Sequence, residues 1–158
     1  MIKKLSSRDT PIIYEVINKA ARAYRGIIPE DCYHEPYMSE QELRREVASM
    51  TFFSWYQEGK TVAVIGFQPV RDVTLVRHAY VLPEYQRKGI GTKLLNHVKQ
   101  MTKTKRLLVG TWADAIWAIQ FYQKHGFELV PEKDELLGKY WNVPRRQIET
   151  SVVLGIEM

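Results

Sequence analysis

Val81-Leu82-Pro83-Glu84-Tyr85-Gln86-Arg87-Lys88-Gly89-Ile90-Gly91-Thr92-Lys93-Leu94-Leu95 is the stretch on which the reading of this chain turns. It starts at the end of a β-rich run, Val73 to Val81, and passes through a turn marked by Pro83, Gly89 and Gly91. It then enters a helix whose apolar positions Ile90, Leu94, Leu95, Val98 and Met101 lie along one side. Where a strand runs through a tight turn into a helix, several backbone N–H groups lack a helical partner and share the positive end of the helix dipole. Such a junction suits an anion, a phosphate or pyrophosphate best. Gly89 and Gly91 remove side chains that would hold a phosphate off the backbone, and Arg87 and Lys88 add positive charge at the rim. Spacing alone leaves a second reading open, a helix start whose glycines serve packing.

Two other phosphate motifs are excluded. The P-loop places four residues between its glycines and ends in Gly-Lys-Ser/Thr, whereas only Ile90 separates Gly89 from Gly91. The dinucleotide fingerprint needs a third glycine three residues after the second, and that position is Leu94.

Upstream of this stretch, residues 2–5 read as a short strand. Asp9 and Pro11 then open a helix with Ile13, Val16, Ile17, Ala20, Ala21 and Tyr24 at helical spacing, stopped by Gly26 and Pro29. Gly26 to Tyr37 reads as a polar and aromatic loop. Ser39 with Glu42 resembles a capping box for a second helix to about Met50. The period then changes to strands at Thr51–Tyr56, Thr61–Phe67 and Val73–Val81, an antiparallel meander. Downstream, Arg106–Trp112 reads as a strand, Ala115–His125 as a helix and Gly126–Val130 as a strand. Glu132–Trp141 reads as a short helix and Gln147–Ile156 as a final strand. The order βααβββαβαβ(α)β implies a mixed α/β sheet with helices on both faces.

The bulk properties agree with one domain over residues 1–158. A chain of 158 residues is of usual domain size, and such a domain buries roughly 70% of its extended surface. No linker, repeat or long apolar run interrupts it, so no membrane partner is expected, and the N-terminus lacks the apolar stretch of a signal peptide. A lone cysteine, Cys32, excludes an internal disulfide and a cysteine zinc site, and no metal is expected. A cytoplasmic protein is the simplest reading. The net charge of +5 favours an anionic partner, but the basic residues are scattered in small groups, which argues against a nucleic-acid surface and for one group on a specific anion.

Gln86-x-x-Gly89-x-Gly91, with Pro83 and Tyr85 before it and Leu94-Leu95 after it, resembles the Gln/Arg-x-x-Gly-x-Gly/Ala motif of the GNAT N-acetyltransferases. Ala118-Ile119-Gln120-Phe121-Tyr122-Gln123-Lys124-His125-Gly126-Phe127 is similar to a second segment of that superfamily, in the expected order. The resemblance covers most of the chain and is strongest from about 73 to 130. It implies a mostly antiparallel sheet of about six to seven strands with a splayed central pair, and acetyl-CoA as cosubstrate. Ala79, Tyr80 and Val81 would contact the pantetheine and acetyl group. Gln86, Arg87, Lys88, Gly89, Ile90, Gly91 and Thr92 would hold the pyrophosphate. Transfer to a primary amine, of a small molecule or a peptide, would proceed by direct attack, with Tyr122 as proton donor to the coenzyme A thiolate.

The chain departs from that pattern in two places. Ala115 stands where some relatives carry an Asn that touches the cofactor. The strand Arg106–Trp112 lacks the carboxylate some relatives carry there, so no general base follows by analogy. His78 is the best-placed titratable candidate, because its ordinary pKa is near 6.5. Water-mediated deprotonation, a non-catalytic acyl-CoA sensor and a transferase of another acyl group stay open as alternatives. On the acceptor side the loop offers Glu30, Asp31, Tyr33, His34, Glu35 and Tyr37, which suit a cationic amine. Trp112 and Trp117 are candidate pocket walls. The segment Tyr140–Arg146 either covers the pocket or supports a homodimer.

Overall fold

A computed structural model describes residues 1–158. Seven strands form a single sheet in the order β1-β2-β3-β4-β5-β7-β6. They are β1 (Ile2–Lys4), β2 (Thr51–Gln57), β3 (Lys60–Val70), β4 (Val73–Val81), β5 (Arg106–Trp112), β6 (Glu128–Leu129) and β7 (Ser151–Glu157). Every neighbouring pair is antiparallel except β4 with β5. The principal helices are α1 (Thr10–Ala20), α2 (Glu40–Ser49), α3 (Ile90–Met101) and α4 (Ile116–Lys124). Two short ones follow, α5 (Lys133–Leu136) and α6 (Arg145–Glu149). No helix is long and apolar enough to cross a membrane.

Strand alternation assigns the helices to faces, because successive side chains of a strand point to opposite sides. Phe53 packs edge-on against His97 of α3, whereas its neighbour Phe52 stacks on His78 beside Glu46 of α2. Thus α2 and α3 lie on opposite faces. On β5, Leu107 and Val109 join the cluster that holds Leu94, Leu95 and Val98 of α3. The intervening Leu108 joins Leu136, Leu137 and Tyr140 on the other side. Leu107 and Leu108 are fully buried, and each such side chain contributes roughly 1.5–3 kcal/mol of transfer free energy.

Three local expectations change. The final strand does not begin at Gln147, because Gln147–Glu149 is part of α6. Pro144 precedes that helix with its φ preset, and Thr150 Oγ1 closes it by donating to the Arg146 carbonyl at 2.8 Å. The strand read at Gly126–Val130 shrinks to Glu128–Leu129. Gly126, at φ +92°, is spent ending α4, as C-terminal glycines do. The helix read at Glu132–Trp141 is divided into α5 and a π-helical turn, Leu137–Trp141, which Tyr140 ties to Asp72 through a 2.7 Å hydrogen bond.

One irregularity shapes the centre of the sheet. The β3–β4 register shifts between Val64 and Gly66, and His78 on β4 takes a left-handed φ of +55°. Such a bulge inserts an extra residue and bends the strand. Arg77 and His78 are consecutive, yet both reach Glu46 Oε1, at 2.7 and 2.9 Å. Only the bulge lets neighbours in a strand serve one carboxylate. The pairing of β4 with β5 ends one residue earlier, at Val76 and Val109. Beyond it β4 stays with β3 and β5 stays with β7, so the two central strands splay apart.

Candidate active site

The turn after β4 leaves its backbone donors free. A 3-10 turn, Pro83–Tyr85, follows the strand, and the Gln86 side chain folds back to donate to the Val81 carbonyl at 3.1 Å. Arg87 and Gly89 have left-handed φ of +63° and +78°. The first helical bond of α3 runs from Lys93 N–H to the Gly89 carbonyl at 3.1 Å. The N–H groups of Arg87, Lys88 and Gly89 donate to nothing in the protein, and those of Ile90, Gly91 and Thr92 precede the first helical bond. Consecutive free N–H groups in such a turn form a concave anion nest at the positive end of the helix.

The two glycines have different jobs. A Cβ on Gly89 would meet nothing within 4 Å, so the space in front of it is open for a phosphate. A Cβ on Gly91 would stand 3.4 Å from the Phe121 ring and 3.8 Å from Val81 Cγ2. Gly91 therefore faces the protein and lets α4 and β4 close on the first turn of α3. Thr92 Oγ1 lies 3.0 Å from His125 Nε2, which ties that same turn to the end of α4. Burial holds the His125 imidazole below its ordinary pKa, and the Lys99 and Lys124 charges add to this.

Ala79, Tyr80 and Val81 lie on β4 beyond the last pair with β5, so this edge of the strand borders the splay. Tyr122 presents its ring to the interior, edge-on to Phe121 and Phe127 at centroid distances of 5.2 and 5.4 Å. Its hydroxyl makes no hydrogen bond within the protein, yet it is not among the fully buried unpartnered atoms, so it keeps access to solvent. Burial pushes its pKa well above the ordinary tyrosine value, and the nearby Tyr24 adds to the shift.

A cavity of about 90 Å³ opens between the diverging strands. Tyr80 of β4 and Gly110–Trp112 of β5 form its inner wall. Tyr24 and Tyr37 close it from the segment between α1 and α2. Leu137 and Trp141 of the π-turn, with Gln147 and Ser151, close it from the C-terminal side. The hydroxyls of Tyr24 and Tyr80 are 3.5 Å apart, and Trp112 Nε1 donates to Tyr37 Oη at 2.7 Å. Burial raises the pKa of Tyr24, Tyr37 and Tyr80 alike, so these hydroxyls stay neutral.

The loop carboxylates do not enter the cavity. Glu35 pairs with Arg25 and accepts from Tyr33 Oη at 2.8 Å. Asp31 receives two hydrogen bonds from Arg146, at 2.8 and 3.0 Å, which hold its carboxyl below the usual range. That fork joins the loop to α6. Trp117 stacks on Tyr24 at a centroid distance of 5.9 Å, with almost half of its surface exposed. His78 is also outside the lining, because its Nε2 is engaged by Glu46 and its ring by Phe52.

Several lining residues had no local signal. Tyr24 reads as the last apolar position of a helix, and Gly110, Gln147 and Ser151 resemble ordinary strand or loop residues. The aromatics at Tyr24 and Tyr37, with Trp112 and Trp141, are the sequence features that point toward the cavity.

Comparison with known proteins agrees with this geometry. Residues 13–127 match the Acetyltransferase (GNAT) family. The chain is 26% identical to a spermidine N(1)-acetyltransferase of Thermoplasma acidophilum over 141 residues, which is 81% of this chain and 88% of that protein. It is 28% identical to N-alpha-acetyltransferase 50 of Danio rerio over 126 residues, 74% of this chain and 71% of the other. The crystal structure of the PaiA N-acetyltransferase from Thermoplasma acidophilum in complex with coenzyme A superposes with a TM-score of 0.77 at 19% identity. That superposition covers 100% of this chain and 98% of the other. The chain belongs to the GNAT family, and it is an acetyl-CoA-dependent N-acetyltransferase.

Proposed function

We propose that this enzyme transfers the acetyl group to a primary amine held in the cavity at the β4–β5 splay. The observation that carries the reading is the juxtaposition of two sites: the anion nest at Arg87–Thr92 ends the same strand, β4, whose Tyr80 walls the cavity. A diphosphate in the nest directs the rest of a linear thioester along Ala79–Val81 toward the splay. The amine then attacks the acetyl carbonyl from the cavity side, the C–S bond breaks, and the amine's proton leaves to solvent or to the sulfur.

Each protein group has a defined part. Backbone N–H groups on the free edge of β4 polarise the carbonyl. Tyr122 remains protonated across the physiological range, because its pKa is raised, and it donates a hydrogen bond to the sulfur as negative charge develops there. The same shift makes it a reluctant acid, so hydrogen bonding contributes more than complete proton transfer. His78 and Glu46 hold the bulge that opens the splay. Neutral tyrosine hydroxyls and water around Tyr24 and Tyr80 accept the hydrogen bond of the incoming amine.

Thiol release from acetyl-CoA over a panel of primary amines tests this reading. We expect release that depends on both acetyl-CoA and one class of amine. An intact fold that binds acetyl-CoA and releases no thiol with any amine would contradict it.

A further inference from the structure

The cavity has no ionisable side chain other than tyrosine. Five of its lining residues are aromatic: Tyr24, Tyr37, Tyr80, Trp112 and Trp141. Of the loop acids, Asp31 and Glu35 are paired with Arg146 and Arg25, outside the lining. No Arg or Lys reaches the lining, so an acceptor's carboxylate would find no counter-ion there. A second ammonium would likewise enter without a carboxylate, and a buried charge without its partner is strongly disfavoured. The volume of about 90 Å³ admits a compact substituent, since about 10–15 Å³ on the same measure already holds a water.

Resting on the transfer reading above, we infer that the acceptor is a small primary monoamine whose substituent is compact and uncharged. The aromatic faces meet that substituent. The hydroxyls of Tyr24 and Tyr80 then receive the amine at the splay. Gly110 and Trp141 set the size and charge of what fits. A Cβ on Gly110 would stand 3.4 Å from Trp141 Cε2 and 3.5 Å from Leu137 Cδ2, an ordinary contact that the strand tolerates.

Matched acceptors test the inference. Isoamylamine carries the leucine side chain without its carboxylate, and n-butylamine is 1,4-diaminobutane without its second charge. With acetyl-CoA saturating, we expect kcat/KM for each monoamine to exceed that of its charged counterpart at least about tenfold. A peptide with a free N-terminus should rank with the charged counterparts. Equal or reversed ranking, or preference for the peptide, overturns the inference. Gln147→Glu places a carboxylate in the lining at unchanged size and should move the preference toward the diamine by about tenfold or more. Trp141→Ala should extend it to bulkier monoamines. Should no acceptor release thiol, quenching of Trp112 and Trp141 fluorescence by the same amines in the presence of coenzyme A separates the two claims. The same order of binding keeps the acceptor class and removes the transfer reading, and any other order removes the class.

Discussion

Gly89 and Tyr122 each combine a backbone or burial constraint with one task in the proposed transfer. At Gly89 a side chain enters open space, but φ +78° resists any L residue except Asn or Asp at small cost. Gly89→Glu should therefore abolish coenzyme A binding by filling the nest with bulk and negative charge. Gly89→Asn keeps the backbone and serves as the control for folding. Calorimetric titration with coenzyme A reads both variants, and unchanged affinity in the Glu variant would remove the nest as the phosphate site. For Tyr122→Phe the ring packing with Phe121 and Phe127 survives, and only the hydroxyl is lost. Turnover should fall by about 10²-fold, the lower end of what a positioned acid contributes, with coenzyme affinity near wild type. Wild-type turnover in that variant would end its role at the sulfur. Both residues stand out in the sequence because their signals are local: the nest is built by consecutive residues, and Tyr122 lies in a contiguous motif.

At the scale of elements, the bulge in β4 depends on α2. Glu46 lies on α2 and holds Arg77 and His78 of β4 with one oxygen, while its Oε2 is buried without a partner. Burial alone raises its pKa. The His78 hydrogen bond and the His78 and Arg77 charges outweigh burial, and the carboxyl sits below its ordinary value. A depressed carboxyl pKa stabilises the fold above the unfolded value of about 4.3, and that stabilisation is lost as pH falls through the folded pKa. Glu46→Gln should cost about 1–3 kcal/mol at pH 7, from weakening hydrogen bonds to a charged group. The difference from wild type should shrink when urea midpoints are compared at pH 7 and about pH 3.5. A pH-independent difference would assign the loss to packing instead. Nothing in α2 reveals this pairing, because a glutamate among Arg44, Arg45 and Val47 reads as a solvated helix position. The same applies to α6. Arg145–Glu149 was read partly as strand, and its helical state follows from Pro144 and the Thr150 cap rather than from apolar periodicity.

For the whole molecule, the splay of β4 and β5 is where the sheet loses its internal pairing. A ligand laid in that gap binds the folded state alone. Acetyl-CoA at about 100 times its Kd should add about 2.7 kcal/mol and raise Tm by about 5–10 °C in a domain of this size. Thermal scans at several acetyl-CoA concentrations check this, and an unmoved Tm at saturation argues against binding at the splay. The sequence by itself determined the family and the strand–turn–helix that forms the anion nest, because each rests on residues close together in the chain, where spacing dictates which groups converge. Only the tertiary structure decided which residues line the cavity. Tyr24, Tyr80, Trp112, Trp141 and Gln147 meet because three separate segments cover one gap in the sheet, and Asp31 is silenced by Arg146, 115 residues away. Contacts between residues so far apart depend on how the elements pack, and their side-chain types alone suit a core or a solvated loop equally well.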